Sequence, residues 1–162
     1  MNATKVKKAL VSDRCINSIC KLLHARVGIV ISEHQIKHLT DYVQEVLQGE
    51  KYSTDEEYAA YLGAHSERDE VFERLISAVT VGESYFFRYA SQMQFLKQVW
   101  LPKILRVKKE RNDRSLRIWS AGCSAGQEIY SIAVLLREGI VDIDQWHISL
   151  IGTDINPDVL AR

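Results

Sequence analysis

The sequence predicts an α/β fold class, a small N-terminal all-helical domain followed by the first βαβ part of an open parallel-sheet domain. Three observations carry this prediction. Up to about residue 79, apolar side chains recur at three- and four-residue spacing, the period of a helix face. A glycine turn, Gly122-Cys123-Ser124-Ala125-Gly126, joins a strand-like run to a helix-like one. A second strand-like run then ends in Gly152-Thr153-Asp154.

The helical elements can be justified in order. Ile16, Ile19, Cys20, Leu23 and Val27 share a face, and Gly28 stands where a left-handed C-terminal cap is expected. Ile29-Val30-Ile31 reads as an extended connector. Ser32 and Gln35 form a capping-box pattern ahead of a helix whose apolar face is Ile36, Leu39, Val43, Val46 and Leu47, with Gly49 as its stop. Ser53 with Glu56 repeats the pattern before Tyr58, Tyr61 and Leu62. Ser66 with Asp69 repeats it before Phe72, Leu75, Ile76 and Val79. This gives a helical domain over 1–79.

A polar, turn-rich segment from Thr80 to Ser84 opens a linker and connecting helix over 80–114. The helix should run from about Gln92 to Lys109, with a kink or restart at Pro102. The charged run from Lys108 to Arg114 reads as a solvated connection. Residues 115–162 then form the α/β part. Leu116–Ser120 is a strand, Gln127–Arg137 a helix, and Trp146–Thr153 a second strand, a βαβ unit with a parallel pair. Asn156-Pro157 starts another helix, Asn as cap and Pro at the first helical position. Trp119 and Trp146 are expected in the core. A parallel pair needs cover on both faces. The α/β part is therefore expected to be truncated, or else its exposed edge pairs with a partner chain, for instance in a homodimer.

Composition narrows the function. The 162 residues are 46% apolar and 26% charged, values of a folded globular chain. Lys+Arg and Asp+Glu both number 21, so no net positive field draws nucleic acid or anionic lipid. No apolar run approaches the ~18 residues of a membrane span, and the N-terminus lacks a signal-peptide core. Cys15, Cys20 and Cys123 include no CxxC, which argues against a disulfide framework or a zinc site and for a cytoplasmic protein. His34 and His38 are spaced like a metal pair but lack a third ligand nearby, and are expected to be exposed helix residues.

In open α/β sheets ligands bind at the carboxyl ends of strands. Gly122 and Gly126 allow close backbone approach there, and the helix opening near Gly126 offers N–H groups to an anionic ligand group. Asp154, ending the next strand, is suited to accept both hydroxyl hydrogens of a ribose. These features suggest a nucleoside-containing cofactor. The turn is neither GxGxxG nor GxxxxGK[ST], which disfavours NAD, FAD and ATP. The alternative is that the glycines serve turn geometry and Asp154 caps a turn.

The run from Leu116 through Ser120-Ala121-Gly122-Cys123-Ser124-Ala125-Gly126-Gln127-Glu128-Ile129-Tyr130 to Ala133 resembles the signature of CheR-type chemotaxis receptor methyltransferases. Thr80-Val81-Gly82-Glu83-Ser84-Tyr85-Phe86-Phe87-Arg88 is similar to that family's second motif, and Gly152-Thr153-Asp154-Ile155-Asn156 to its third. The resemblance implies a Rossmann-like class I methyltransferase domain, here partial, behind the helical domain. It implies S-adenosylmethionine as cofactor, S-adenosylhomocysteine as product, and glutamate side chains on the cytoplasmic helices of chemoreceptors as substrate. It assigns Asp154 to the ribose hydroxyls, Glu128 to the amino group of the methionine part, and Ala121, Gly122 and Gly126 to the turn beside it. Gly82 and Ser84 fall at cofactor-contact positions, and Arg88 at the transferring methyl and the methionine carboxylate.

Several positions depart from the family pattern. Gly82 stands for a usual Asn, Ser84 for Thr, Gln127 for Glu and Ile129 for Pro. The stretch Tyr42–Gln48 lacks the Arg of the family's receptor-facing helix, which implies a different receptor or weaker docking. This chain alone is expected to transfer little or no methyl. The alternative function is a non-catalytic receptor- or signalling-protein-binding module.

Overall fold

The computed structural model of the protein describes residues 11–49, 51–80 and 82–162. Val81, within the second motif, lies outside the described residues. The chain divides after Thr80 into two compact units.

The described residues of the first unit form four helices: α1 (Asp13–Val27), α2 (Glu33–Gln48), α3 (Asp55–Ala64) and α4 (Glu70–Val79). Ile19, Leu23, Leu39, Val43, Tyr58, Leu62, Phe72 and Leu75 are buried in one core, the faces that the periodicity marked. Ile36, expected on that face, is 40% exposed. It lies in the first turn of α2, at the margin of the apolar stripe. Gly28 adopts the left-handed conformation, φ 72°, and closes α1 with a bond from its N–H to the His24 carbonyl. At the start of α2, the Gln35 side-chain oxygen accepts from Ser32 N–H at 3.0 Å and Ser32 Oγ at 2.8 Å.

Two cap assignments shift. The N-cap of α3 is Thr54, whose hydroxyl accepts from Glu57 N–H at 3.1 Å, in place of the Ser53/Glu56 pair. The N-cap of α4 is Asp69. Its carboxylate accepts from Ser66 N–H at 2.8 Å, so the Ser66–Asp69 pair forms the turn that leads into the helix. The Asp55 carboxylate reaches from the first residue of α3 to the start of α1, where it accepts from Ser12 N–H and Ser12 Oγ, both at 2.7 Å.

The second unit begins with α5 (Ala90–Phe95), a π-helical turn over Leu96–Trp100, and α6 (Leu101–Glu110). Pro102 sits in the first turn of α6, where its missing N–H costs little, and the wide turn absorbs the irregularity. Strand β1 (Ser115–Ala121), helix α7 (Gln127–Gly139), a short 3₁₀ turn (Ile143–Gln145), strand β2 (His147–Thr153) and the short α8 (Pro157–Leu160) follow. The strands pair in parallel from Ser115↔His147 to Ala121↔Thr153. Two-residue alternation puts Leu116 and Ile118 with Ile148 and Leu150 against the core that contains Leu101, Leu136, Ile140 and Trp146. The other face carries Trp119 and Ile151.

Trp146 is buried as expected, but Trp119 is 69% exposed. Its position in β1 points away from α7, and its indole N–H donates to Thr153 Oγ1 at 2.9 Å. His34 and His38 are exposed, and no cluster of metal-ligating side chains occurs among the described residues. None of the described helices is long and apolar enough to cross a membrane.

Candidate functional site

The parallel pair brings the ends of β1 and β2 together, so the glycine turn and Asp154 are neighbours. Gly122 N–H and Cys123 N–H both donate to the Thr153 carbonyl, at 2.7 and 3.0 Å. This bonding carries the ladder one step past the strands. Gly122 (φ 75°) and Gly126 (φ 91°) occupy left-handed backbone, which an L side chain adopts at a cost. Ser124, with φ 51°, does so as well.

The Asp154 carboxylate bridges two loops. One oxygen accepts from Ser124 N–H at 2.8 Å and the other from Asn156 N–H at 2.9 Å. Each oxygen keeps a second lone pair for an external donor. Glu128, in the first turn of α7, accepts from Ser120 Oγ at 2.7 Å. Cys123 is buried between strand and turn, and burial pushes its thiol pKa up, helped by the carboxylates of Asp154 and Glu128. It is a poor nucleophile at neutral pH.

The segment from Gly82 to Tyr89 forms the opposite wall. Ser124 Oγ donates to the Gly82 carbonyl at 2.8 Å. A Cβ at Gly82 would stand 2.6 Å from Val159 Cγ1, so this backbone lies directly against α8. Arg88 Nη1 donates to the Glu83 carbonyl at 2.7 Å, and its guanidinium lies over the Tyr85 and Tyr89 rings at 5.7 and 5.1 Å. These contacts fix a cation that makes no ion pair with a carboxylate among the described residues.

A pocket of about 230 Å³ lies among these groups, lined by Ser84, Arg88, Gly122, Glu128 and Asp154. Five of the residues singled out from the sequence thus share one cavity. Gly82, Ala121 and Gly126 are not among the residues that line it, although Gly82 and Ala121 adjoin the lining residues Glu83 and Gly122 in the chain. Glu83, Tyr89, Met93 and Ser124 also line it. Glu83 and Ser124 lie inside the motifs given above, and that is the signal that marks them, whereas Tyr89 directly follows the second motif. Met93 comes from α5, and nothing local in the sequence marks it.

Residues 82–162 match the family described as CheR methyltransferase, SAM binding domain. The chain is 28% identical over 146 residues to a chemotaxis protein methyltransferase of Borreliella burgdorferi, covering 90% of this chain and 51% of the relative. It is 37% identical over 105 residues to chemotaxis protein methyltransferase 2 of Vibrio cholerae, covering 65% of this chain and 35% of that protein. A chemotaxis protein methyltransferase of Salmonella typhimurium is 26% identical over 157 residues, covering 96% of this chain and 50% of its own length. The chain spans about half the length, or less, of the curated relatives it matches. With the glycine turn, the strand-end acid and the Arg88 segment on one cavity, and the match covering half of the sequence, the chain belongs to the CheR methyltransferase family.

Proposed function

We propose that the protein is a cytoplasmic, S-adenosylmethionine-dependent methyltransferase of chemotaxis that esterifies glutamate side chains on the cytoplasmic helices of chemoreceptors. The observation that carries this reading is the gathering of three acidic residues (Glu83, Glu128 and Asp154), one guanidinium, three hydroxyl-bearing residues and a glycine turn on a single pocket. A zwitterionic nucleoside needs acceptors for its ribose diol and ammonium and a cation for its carboxylate, and this set supplies both.

In this reading Asp154 accepts from the ribose hydroxyls with the lone pairs its backbone bonds leave over. Glu128 meets the ammonium group. Ala121, Gly122 and Gly126 let the main chain approach the methionine part, and Gly82 and Ser84 supply the facing wall. When bound, S-adenosylmethionine supplies an electrophilic methyl group to a receptor carboxylate that is already ionised at neutral pH, with a reference pKa of about 4.3. No general base is required of the chain. Its residues contribute alignment and exclusion of water, which can be worth effective molarities of about 10⁵–10⁸ M. Arg88 is the catalytic residue in this scheme. Held by Glu83 and flanked by two rings, it orients the incoming carboxylate and the methionine carboxylate without a full contact that would blunt the nucleophile.

The test is calorimetry with S-adenosylhomocysteine, on this chain and on the chain extended to the length of its relatives. Saturable binding is expected in the extended protein. Asp154→Asn, which keeps one acceptor oxygen but loses the charge, should weaken it at least about tenfold, or ~1.4 kcal/mol. Absence of saturable heat in the extended protein, or equal affinity in the variant, would overturn the assignment.

A further inference from the structure

We infer that Ser131 is a positioning residue: its buried hydroxyl ties the Phe87–Tyr89 arch to helix α7 and thereby sets where the Arg88 guanidinium stands. The consequence for ligand binding rests on the reading of Arg88 given above; the tie itself does not.

The arch is costly backbone. Phe87 (φ 56°) and Tyr89 (φ 58°) both occupy the left-handed region, one on each side of Arg88. Bulky L residues avoid that region, and such conformations persist where the surroundings hold them. Within the segment, Arg88 N–H donates to the Tyr85 carbonyl at 3.3 Å, and Gln92 and Met93 N–H donate to the Tyr89 carbonyl at 2.8 and 3.2 Å. These bonds shape the arch but do not anchor it. The anchor to α7 is Phe87 N–H donating to Ser131 Oγ at 2.9 Å. Ser131 Oγ in turn donates to the Gln127 carbonyl one helical turn back, at 2.6 Å.

The two bonds divide the hydroxyl's capacity. The back-bond to the i−4 carbonyl is a common use of Ser in a helix. Here it spends the only proton, which orients a lone pair toward the Phe87 amide. Ser131 has no exposed surface, so water cannot replace it readily. Alanine at this position removes both bonds. Threonine keeps the hydroxyl.

The experiment measures amide hydrogen exchange and the Arg88 Nε–H resonance by NMR in the ligand-free chain, for wild type, Ser131→Ala and Ser131→Thr. In Ser131→Ala the Phe87 amide should exchange at least about tenfold faster and the Arg88 resonance should move, while the Leu135 and Leu136 amides keep their rates. Ser131→Thr should restore both signals. An unchanged Phe87 amide, an unmoved Arg88 resonance, or a uniform quickening through α7 would overturn the inference. In the extended protein, Ser131→Ala should also weaken S-adenosylhomocysteine several-fold. If the arch loosens and that affinity does not change, the role given to Arg88 fails and the tie stands.

Discussion

Gly82 lies against Val159, and that contact can be weighed. A Cβ added at Gly82 would come within 2.6 Å of Val159 Cγ1. Val159 is buried, and its branched side chain has few rotamers to retreat into. Gly82 does not use left-handed backbone, so alanine there carries no φ penalty and even gains about 0.4–1 kcal/mol by restricting the unfolded chain. Overpacking costs about 1–3 kcal/mol. The net expectation for Gly82→Ala is a loss of about 1–2 kcal/mol. Val159→Ala removes two methyl groups at about 0.8 kcal/mol each and leaves a small cavity, for about 2 kcal/mol. In the double variant the new Cβ occupies the space the methyl vacated. The combined loss should then stay near 2 kcal/mol, about 1–2 kcal/mol short of additivity. Urea unfolding followed by tryptophan fluorescence reads this well, because Trp100, Trp119 and Trp146 all lie in the second unit. Losses that add within about 0.5 kcal/mol would show that the two residues do not touch. The same contact offers a reason for Gly where the family's motif usually has Asn: the larger side chain should be accepted only with Val159 shortened.

Other expectations follow from single sites. Phe72→Ala, in the centre of the helical core, should cost about 3–5 kcal/mol and be seen as loss of helical circular dichroism at lower urea. Asp113 is held down to a pKa of about 2, first by its bond from Lys108 and then by Ser115. Its folded value lies below the unfolded one, so the stability it contributes is present above about pH 4 and fades as pH falls toward 2. Asp113→Asn should flatten the acid limb of the melting curve in that window, and an unchanged limb would refute the linkage. Burial raises the Cys15 thiol to about 11, with Asp55 and Glu56 adding to it. Cys20 is more exposed. Iodoacetamide at pH 8 should label Cys20 well ahead of Cys15 and Cys123, which mass spectrometry of a time course would check.

Helix faces, the glycine turn and the parallel βαβ order were legible because each is a local pattern repeated over a turn or more. The α3 cap was not. Ser53 and Thr54 are both competent caps, each with a Glu three residues on, and the local rule cannot rank them. Asp55, the residue after Thr54, is drawn across to Ser12, 43 residues earlier, a tertiary bond with no local sign. Hydrophobicity alone argues for Trp119 in the core, yet it is exposed. Strand alternation states which residues share a face but not which face is covered. At the site, Ser84, Arg88, Gly122, Glu128 and Asp154 were reachable because they sit in contiguous motifs. Met93 enters the cavity only through the path of the chain between Arg88 and α6. The left-handed turns at Phe87 and Tyr89 were likewise invisible, since neither residue type favours them.

The doubly bonded Asp154 has a thermodynamic consequence. A surface carboxylate that swings freely must surrender rotamer freedom when it captures a guest, a toll of about 0.5–1.5 kcal/mol for a side chain immobilised on association. Backbone donors from residues 124 and 156 have already extracted that toll during folding. A diol arriving at this acid would meet a preset acceptor, so its affinity should depend less on temperature-sensitive ordering than on the quality of the two new bonds.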